Sequence, residues 1–325
     1  MLKGGLILGI DTSNYTTSAS LCTLDGEVVL NLKKLLPVSE GERGLRQSDA
    51  LFAHTKNLPE IMDGVDCFLR ENYPDRKILA VGYSATPRDV EGSYMPCFLS
   101  GVSVASAISA TLGCEKYAFS HQSGHVMAAL YSAKRLDLLE KSEPFAAFHV
   151  SGGTTEILLI TPTESGFSVE LIGGTADINA GQAIDRTGVL MGLRFPCGRE
   201  MEGLIVEQNI APHKTRISVK GLECNLSGLE NLAKKMYEET GDRTAVSAYC
   251  FDFVADTLLK LTANLRETYP NIPVIYAGGV MSNRRIGARL AENENTYFSA
   301  PEFSSDNAAG IALLCRKKFI EEKLV

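Results

Sequence analysis

The sequence has no excess of positive charge, no closely spaced pair of cysteines, no long apolar run and no low-complexity segment. Its formal net charge of −7 excludes the overall basic surface that is typical of nucleic-acid-binding domains. Two short basic runs, Arg284-Arg285 and Arg316-Lys317-Lys318, are more typical of solvated helix faces than of a binding patch.

The eight cysteines are scattered, and none of them forms a CxxC pair. A zinc–cysteine site or a disulfide framework is therefore not expected, and the cysteines are predicted to be small core residues in a reducing cytoplasm. The first apolar run ends at Asp11, which makes it too short for a signal peptide or a membrane span. The sequence predicts a cytoplasmic protein without a membrane partner.

What the sequence does contain is a repeated order of strands and helices along its 325 residues. Three short strand-like runs between residues 6 and 32 are followed by alternating helical and strand patterns. The same order returns with three runs between residues 145 and 171. This duplication predicts an α/β protein with the two-lobed, actin-like ATPase fold (the ASKHA, ribonuclease H-like class). A single doubly wound domain is the alternative.

The duplication predicts a first lobe over residues 1–140 and a second lobe over residues 141–325. A last helix at about residues 305–325 is expected to pack back on the first lobe. Residues 194–231 break the repeated order with several prolines and glycines. Because long irregular segments tend to be functional, we interpret this stretch as an insertion on the second lobe, near the cleft.

Two histidines, His121 and His125, stand four residues apart in the sequence HQSGH. If Ser120 caps a helix that begins here, both imidazoles lie on one helix face and can reach one metal ion. Gly124 lies between them and lowers the helix propensity, which indicates close packing or the approach of a substrate. The alternative is two partly exposed histidines that share no ligand.

A metal site of this kind needs a third ligand, and Asp306 is the candidate. It follows two serines and precedes the apolar pattern of the last helix, so the alternative for Asp306 is an ordinary helix N-cap. Two histidines with one carboxylate suit iron(II), manganese or zinc, with water or phosphate completing the coordination.

Two polar turns end corresponding strands of the repeat. They are Asp11-Thr12-Ser13-Asn14 and Ser151-Gly152-Gly153-Thr154-Thr155. Glycines in such a turn let backbone N–H groups approach a phosphate closely, and hydroxyl groups add donors. An aspartate such as Asp11 would orient a metal ion or an attacking water. The sequence therefore predicts phosphate contacts at both turns.

A third glycine pair, Gly278-Gly279, follows a predicted strand and opens a helix. The backbone at such a place is suited to approach an adenosine, although tight packing at a helix start is the simpler alternative. Asp185 lies on a predicted helix that faces this region. It is a candidate for bonding a ribose hydroxyl, or it pairs with Arg186.

Six short motifs occur in one order along nearly the whole chain. They are GIDTS at Gly9–Ser13, HxxxH at His121–His125, VSGG at Val150–Gly153, AGxAxDR at Ala180–Arg186, GGVxxN at Gly278–Asn283 and SDNAAG at Ser305–Gly310. Through these motifs the chain resembles the catalytic subunit of tRNA threonylcarbamoyladenosine transferases. This family was long labelled as glycoproteases or O-sialoglycoprotein endopeptidases.

The resemblance implies an actin-like fold and transfer of a threonylcarbamoyl group from an adenylate to N6 of an adenine in tRNA. It also implies that His121, His125 and Asp306 bind one divalent metal ion, which acts as a Lewis acid. ATP or an acyl-adenylate, with Mg²⁺ as a companion of ATP, would be held by a further group of residues. Those residues are Ser13, Val150, Ser151, Gly152, Gly153, Thr154, Asp185, Gly198, Gly278, Gly279 and Asn283.

Some stretches depart from the family pattern. The family's SGGHT is Ser151–Thr155 here and lacks its histidine, and the family's SGLKT is Ser227–Asn231, with a glutamate in place of the lysine. The stretches 45–50 and 86–92 do not match either. These departures indicate a divergent paralogue. The alternatives to tRNA modification are a carbamoyl-type transfer to another acceptor and a nucleotide-binding regulatory role.

The resemblance further implies a homologous accessory subunit or a homodimer as partner. Peptidase activity is not expected in spite of the old family label, because HxxxH lacks the glutamate that zincins carry between their histidines.

Overall fold

The structure is a computed structural model that describes residues 4–13, 15–37, 45–75, 77–164, 166–206, 208 and 210–323. The chain divides into two compact units. The first comprises the described parts of Met1–Tyr131 and Ser305–Val325, and the second is Ser132–Ser304. Asn14, the last residue of the first predicted turn, lies outside the described residues.

The first unit opens with a meander of three strands, after which helices and strands alternate. The elements are β1 (Leu6–Ser13), β2 (Thr16–Thr23), β3 (Val28–Leu35), α1 (Gln47–Asn72), β4 (Ile78–Thr86), α2 (Phe98–Leu112), β5 (Glu115–Ser120) and α3 (His121–Ser132). Every residue of β1 is buried, as expected for a strand in the middle of a sheet that is covered on both faces.

The second unit repeats this order and adds further elements. After a 3₁₀ turn at Leu136–Leu139 they are β6 (Phe145–Val150), β7 (Thr155–Thr163), β8 (Gly166–Thr175), α4 (Ala180–Leu190), α5 (Gly198–Gly203), β9 (Ser218–Lys220), β10 (Glu223–Asn225), α6 (Gly228–Thr240), α7 (Arg243–Thr268), β11 (Val274–Ala277), a 3₁₀ turn at Gly279–Ser282, α8 (Arg284–Leu290), β12 (Thr296–Phe298) and α9 (Pro301–Ser304).

The last helix, α10 (Ala309–Lys323), belongs to the first unit and packs against β1 and β4. A side chain at Gly9 of β1 would meet the backbone of Ala312 at 2.5 Å, and one at Gly82 of β4 would meet Cys315 at 2.6 Å. The helix therefore lies directly on the sheet, and only glycine fits under it at these two positions.

The two sheets share one topology. In the first the order is β3-β2-β1-β4-β5, and in the second it is β12-β11-β6-β7-β8-β10-β9. Around β1 and around β6 the meander partners are antiparallel and the later strands are parallel. The five strands of the first sheet thus have counterparts in the second, and the predicted internal duplication is confirmed.

Two predicted elements differ from the structure. The apolar pattern predicts one helix over residues 121–139, but α3 ends at Ser132, because Lys134 takes a left-handed conformation with φ of 56° before the separate 3₁₀ turn at Leu136–Leu139. The segment 194–231 is less irregular than predicted, since it forms α5 and the hairpin of β9 and β10, which extends the second sheet. None of the helices built from the described residues combines the length and apolar character that a membrane crossing needs.

Candidate functional site

The two histidines of the HxxxH motif lie at the start of α3, directly after β5. The hydroxyl of Ser120 accepts the Ser123 N–H at 3.1 Å, which confirms the predicted N-cap. Both serine hydroxyls also donate to the carboxylate of Asp89, at 2.7 and 2.6 Å. The four-residue spacing brings the Nε2 atoms of His121 and His125 to 2.9 Å from each other.

Asp306 joins the two histidines from the segment between α9 and α10. Its Oδ1 lies 3.1 Å from Nε2 of His125 and 3.5 Å from Nε2 of His121. The cap of α10 is formed by the next residue, because Asn307 Oδ1 accepts the Ala309 N–H at 3.0 Å. The interpretation of Asp306 as a helix cap is therefore wrong, and its carboxylate points to the imidazoles.

This group has the chemistry of a metal site. The ligand atoms of His121, His125 and Asp306 all lie within 4.8 Å of one another. The three side chains are only 13, 14 and 20% exposed. Two imidazole nitrogens and one carboxylate oxygen that converge in this way fit a divalent cation such as iron(II), manganese or zinc.

A buried carboxylate holds His121 from behind. Asp11 is fully buried, and its Oδ2 lies 3.3 Å from Nδ1 of His121. Ser13 donates to Asp11 Oδ2 at 2.6 Å, and Ser84 on the neighbouring strand β4 donates to Oδ1. Because an aspartate at Nδ1 favours the tautomer with a proton there, it leaves Nε2 as the nitrogen of His121 that is available to a metal ion.

The sequence predicted an open turn at Asp11 and Ser13. The structure instead places neither residue in such a turn. Both belong to β1, where their side chains are buried and bonded to each other. The hydroxyl of Ser13 is directed to a carboxylate, and its predicted contact with a phosphate stays a prediction.

The two acidic residues also control the protonation of the histidine between them. Burial alone would lower the pKa of His121, but the carboxylates of Asp11 and Asp306 outweigh it and raise the pKa to about 10. Burial would raise the pKa of Asp306, yet its hydrogen bonds with His121 and His125 hold that pKa far below its usual range. A proton and a metal ion would therefore compete for the same group of atoms.

Close packing of α3 on α10 positions the three side chains. A side chain at Gly310 would meet the carbonyl oxygen of Gly124 at 1.8 Å, and one at Gly124 would meet Ile311 at 2.8 Å. Of the two sequence-based explanations for Gly124, close packing is the one that the structure shows. The same contact fixes the start of α10, and with it Asp306, against the turn of α3 that carries both histidines.

We expect Gly310→Ala to disrupt this contact, since its methyl group would overlap backbone atoms that cannot move aside. The loss in free energy of unfolding should be about 1–3 kcal/mol, and metal affinity should fall with it. Urea denaturation and metal titration measure the two effects. Gly287→Ala is the matched control, because no described atom lies within 4 Å of the added methyl group and α8 favours alanine.

His54 is a further buried histidine of the first unit that the sequence did not single out. Its Nδ1 bonds to the hydroxyl of Thr17 at 2.9 Å, and its Nε2 has no partner among the described residues. Burial lowers the pKa of His54 to about 4, although the carboxylates of Asp11 and Asp306 act in the opposite direction. The folded protein therefore keeps this imidazole neutral.

The neutral state of His54 predicts a loss of stability in mild acid. The unfolded chain takes up a proton near pH 6.5 and the folded chain only near pH 4, so stability present above pH 6.5 falls as the pH drops through this window. The loss amounts to at most about 3 kcal/mol. Urea denaturation of the metal-free protein should show a flatter pH profile for His54→Asn, which keeps a polar atom near Thr17. Parallel stability profiles of the wild type and His54→Asn between pH 4 and 6.5 would contradict the conclusion that the folded protein keeps His54 neutral.

The second unit holds the glycine-rich turn that follows β6. The Ser151 hydroxyl accepts the N–H groups of Gly153 and Thr154 at 3.2 and 3.0 Å, which closes the turn. No described atom lies within 4 Å of a side chain added at Gly152 or Gly153. Packing does not explain the two glycines, whereas a ligand that approaches the backbone would.

The other predicted glycine pair lies beside this turn. Gly278 has φ of 102°, and a side chain there would meet the carbonyl oxygen of Val150 at 2.3 Å. A side chain added at Gly279, like one added at Gly152 or Gly153, would have no described atom within 4 Å. On the other side, the Gly181 N–H of α4 donates to Ser151 at 3.1 Å, so β6, β11 and α4 meet at one point.

Three remaining predicted residues also belong to the second unit. Asp185 Oδ1 accepts the Cys197 N–H at 2.7 Å, which brings Gly198 close to it. Burial raises the pKa of Asp185, and the bond from Cys197 counteracts this in part. The alternative pairing of Asp185 with Arg186 is wrong, because Arg186 pairs with Glu230 at 3.3 Å. Asn283 caps α8 by accepting the Ile286 N–H at 3.0 Å.

Sequence reasoning missed an ionic network in the second unit. Asp252 is fully buried and accepts two hydrogen bonds from the guanidinium of Arg285, both at 2.8 Å. It also accepts hydrogen bonds from the backbone N–H and from the ring Nδ1 of His213, at 2.8 and 3.0 Å. These two partners come from distant parts of the sequence, so no local signal identified the network.

Comparison with known proteins relates these features to a family. The family model described as TsaD, tRNA N6-adenosine threonylcarbamoyltransferase, matches residues 48–313. The tRNA N6-adenosine threonylcarbamoyltransferase of Streptococcus suis strain 05ZYH33 is 28% identical over 335 residues, covering 100% of this chain and 95% of the relative. The protein of the same name from Kosmotoga olearia is 33% identical over 229 residues, 68% of this chain and 67% of the relative.

Among solved structures, full-length HypF in its phosphate- and nucleotide-bound form superposes with a TM-score of 0.63 at 13% identity. The match covers 98% of this chain and 56% of HypF, so the chain spans about half of that protein's length. This likeness shows the actin-like fold. The family model covers most of the chain, and the chain belongs to the tRNA N6-adenosine threonylcarbamoyltransferase family.

Proposed function

We propose that this protein transfers a threonylcarbamoyl group from an acyl-adenylate to N6 of an adenine in tRNA. The observation that carries the proposal is the convergence of His121, His125 and Asp306 in a chain whose relatives bear that activity in their names. The match to these relatives extends over the full chain, so it does not favour transfer to another acceptor or a purely regulatory role.

The departures from the family pattern are compatible with this function. Glu230, which replaces the family's lysine, pairs with Arg186, so the changed charge has a partner within the second unit. Thr154, which replaces the family's histidine, contributes its N–H to the closed turn at Ser151. Neither change leaves a buried charge or opens the turn.

For the metal we propose one divalent ion, iron, zinc or manganese, held by His121, His125 and Asp306. When bound, the ion supplies a Lewis acid that stabilises negative charge on an oxygen ligand. The protein's own contribution is to present the ligand atoms. The close contact of Gly124 with Gly310 fixes the three side chains, and Asp11 fixes the tautomer of His121.

We expect Asp11→Asn to weaken metal binding by about 10- to 100-fold without abolishing it, as is typical when the partner of a metal-bound histidine is lost. The amide remains bonded to Ser13 and Ser84 but no longer stabilises the Nδ1–H tautomer of His121 by charge. Competition with a chromogenic chelator measures the affinity. An unchanged dissociation constant would show that Asp11 does not act through His121.

For the nucleotide we propose that ATP, accompanied by Mg²⁺, or the acyl-adenylate binds to the second unit. Phosphate oxygens would lie against the turn Ser151–Thr154, where the glycines leave room for a ligand, and Gly279 would lie against the adenosine. The proposed contacts are completed by Val150, Gly278, Asp185, Gly198 and Asn283. We further propose that the two units are the two lobes of the actin-like fold.

A partner is also proposed, either a second copy of this chain or a homologous accessory subunit. The support is a groove of about 440 Å³ between α1 and α2, lined by apolar side chains such as Leu58 and Met62. Phe52 and Leu99 are 66 and 43% exposed on the same two helices. A partner that presents a similar helix pair would cover them. Analytical ultracentrifugation with Phe52→Glu should then show loss of the complex.

The function is tested by incubating the protein with labelled threonylcarbamoyl-adenylate and unmodified tRNA, with its accessory subunits present. Label on N6 of adenine in tRNA is the expected result. Adenylate binding without any transfer would overturn the transferase and favour the regulatory alternative. Transfer of label to a small molecule or protein in place of tRNA would favour the alternative of a carbamoyl-type transfer to another acceptor.

A further inference from the structure

One exposed stretch of the second unit carries cations at alternate positions. Lys214, Arg216 and Lys220 are exposed, while Ile217 and Val219 between them pack against the core. The stretch ends in β9, which is the edge strand of the seven-stranded sheet. We call Lys214, Arg216 and Lys220 the basic stripe.

The backbone of the stripe is held in place from beneath. Thr215 donates to Asp256 of α7, and the His213 N–H donates to buried Asp252 on the same helix. The antiparallel pairing of β9 with β10 fixes the other end, where Lys220 lies opposite Glu223. The cations therefore project from a fixed support, and little backbone freedom is lost when they bind a partner.

The positive charges of the basic stripe are also available to bind a partner. Among the described residues, none of its three cations forms an ion pair, and Glu223 is the acidic side chain that the strand pairing places opposite it. By contrast, Lys234 and Lys235 of α6 each lie 3.9 Å from a glutamate one turn away. In a chain with a net charge of −7, this stretch stands out as a local positive surface.

We propose that the basic stripe binds the phosphate backbone of the RNA substrate. Cations two residues apart on an extended chain are separated by about 6.7 Å, which lets each reach a different phosphate of one strand. The inference rests on the proposed function and adds to it the surface that holds the tRNA. It assigns a role to residues 210–220 of the insertion, which the nucleotide and metal sites do not explain.

The alternative explanation is that the lysines only guard an edge strand against pairing with another chain. The two explanations differ in what happens when charge is removed but polarity is kept. The test therefore uses Lys214→Gln, Arg216→Gln and Lys220→Gln together. The control with the same charge change is Lys141→Gln, Lys234→Gln and Lys235→Gln, which lies outside the stripe in the same unit.

Binding of an unmodified tRNA transcript is measured at equilibrium over a salt series. For the stripe variant, the slope of log K against log salt should become shallower by about 2 to 3, because up to three phosphate contacts are lost. Its affinity at low salt should fall by about 10- to 100-fold. The control should keep the wild-type slope. Lys214→Gln alone should show about a third of the change in slope that the triple variant shows.

Equal slopes for the stripe variant and the wild type would overturn the inference, and aggregation of that variant would then identify the stripe as an edge guard. The proposed function is judged separately, by transfer to tRNA with the wild-type protein. Transfer with equal slopes leaves the function standing without the stripe. A wild-type protein that neither binds nor modifies tRNA would reject both.

Discussion

Replacing both His121 and His125 by alanine should abolish metal binding and, with it, threonylcarbamoyl transfer. The wild-type protein should retain about one divalent ion per chain after desalting, and the double variant none. The physical reason is that Asp306 alone is left, and a single carboxylate does not hold a transition metal against water. Inductively coupled plasma mass spectrometry of the purified proteins measures the ion directly.

His54→Asn is the matched control for this prediction. It removes an imidazole from the same unit. That imidazole bonds to Thr17 and does not belong to the group of His121, His125 and Asp306. It should therefore retain the ion. One ion per chain in the double variant would disprove the site, provided that circular dichroism shows both variants to be folded.

Asp252→Ala should lower the free energy of unfolding by about 3–5 kcal/mol. The substitution leaves Arg285, whose side chain is only 16% exposed, without its carboxylate partner, and an uncompensated buried charge is costly. Arg285 also donates to the carbonyl groups of Ile210 and Ala211, at 3.0 and 3.2 Å. Loss of the ion pair should therefore loosen the segment that precedes β9.

Hydrogen exchange separates this effect from general destabilisation. Amides of α7, α8 and residues 210–217 should exchange faster, while metal content should stay at the wild-type level because His121, His125 and Asp306 lie in the other unit. Asp66→Ala is the control, since it breaks an ion pair with Arg70 whose side chains are 59 and 78% exposed, and such a pair is worth less than about 1 kcal/mol. A loss for Asp252→Ala that matches this control would contradict the assigned role.

Acid should reveal the same network in the wild-type protein. Burial would raise the pKa of Asp252, but hydrogen bonds from Arg285 and His213 hold it below its usual value. A carboxylate with a lowered pKa stabilises the fold above the pKa of the unfolded chain. Its contribution is lost as the pH falls below about 4.

The amino-acid sequence predicted the parts of this molecule that depend on local pattern. The strand meanders, the duplicated order and the helical spacing of His121 and His125 all follow from periodicity and residue spacing, and the structure shows them. The end of α3 was predicted too late because Leu136, Leu138 and Leu139 continue the apolar pattern. The left-handed Lys134 ends the helix without a glycine signal.

The features that could not be predicted depend on residues that are far apart in the chain. Ser84 lies 73 positions from Asp11 and donates to it only because β1 and β4 are neighbours. The network of His213, Asp252 and Arg285 joins α7, α8 and the segment before β9, which share no motif. For Asp306 the sequence left a metal ligand and a helix cap open, and only the bond from Ala309 to Asn307 showed which residue forms the cap.

The order of the chain has a consequence for synthesis. Residues 4–131 of the first unit leave the ribosome before all of the second unit, while Asp306 and α10 leave it after the second unit. Until then β1 and β4 lack the helix that covers Gly9 and Gly82, and the two histidines lack their carboxylate. Domains generally fold as they emerge, so here the second unit can fold first. Metal uptake would then have to wait until Asp306 is translated, and a chain that stops before Asp306 would not retain the ion.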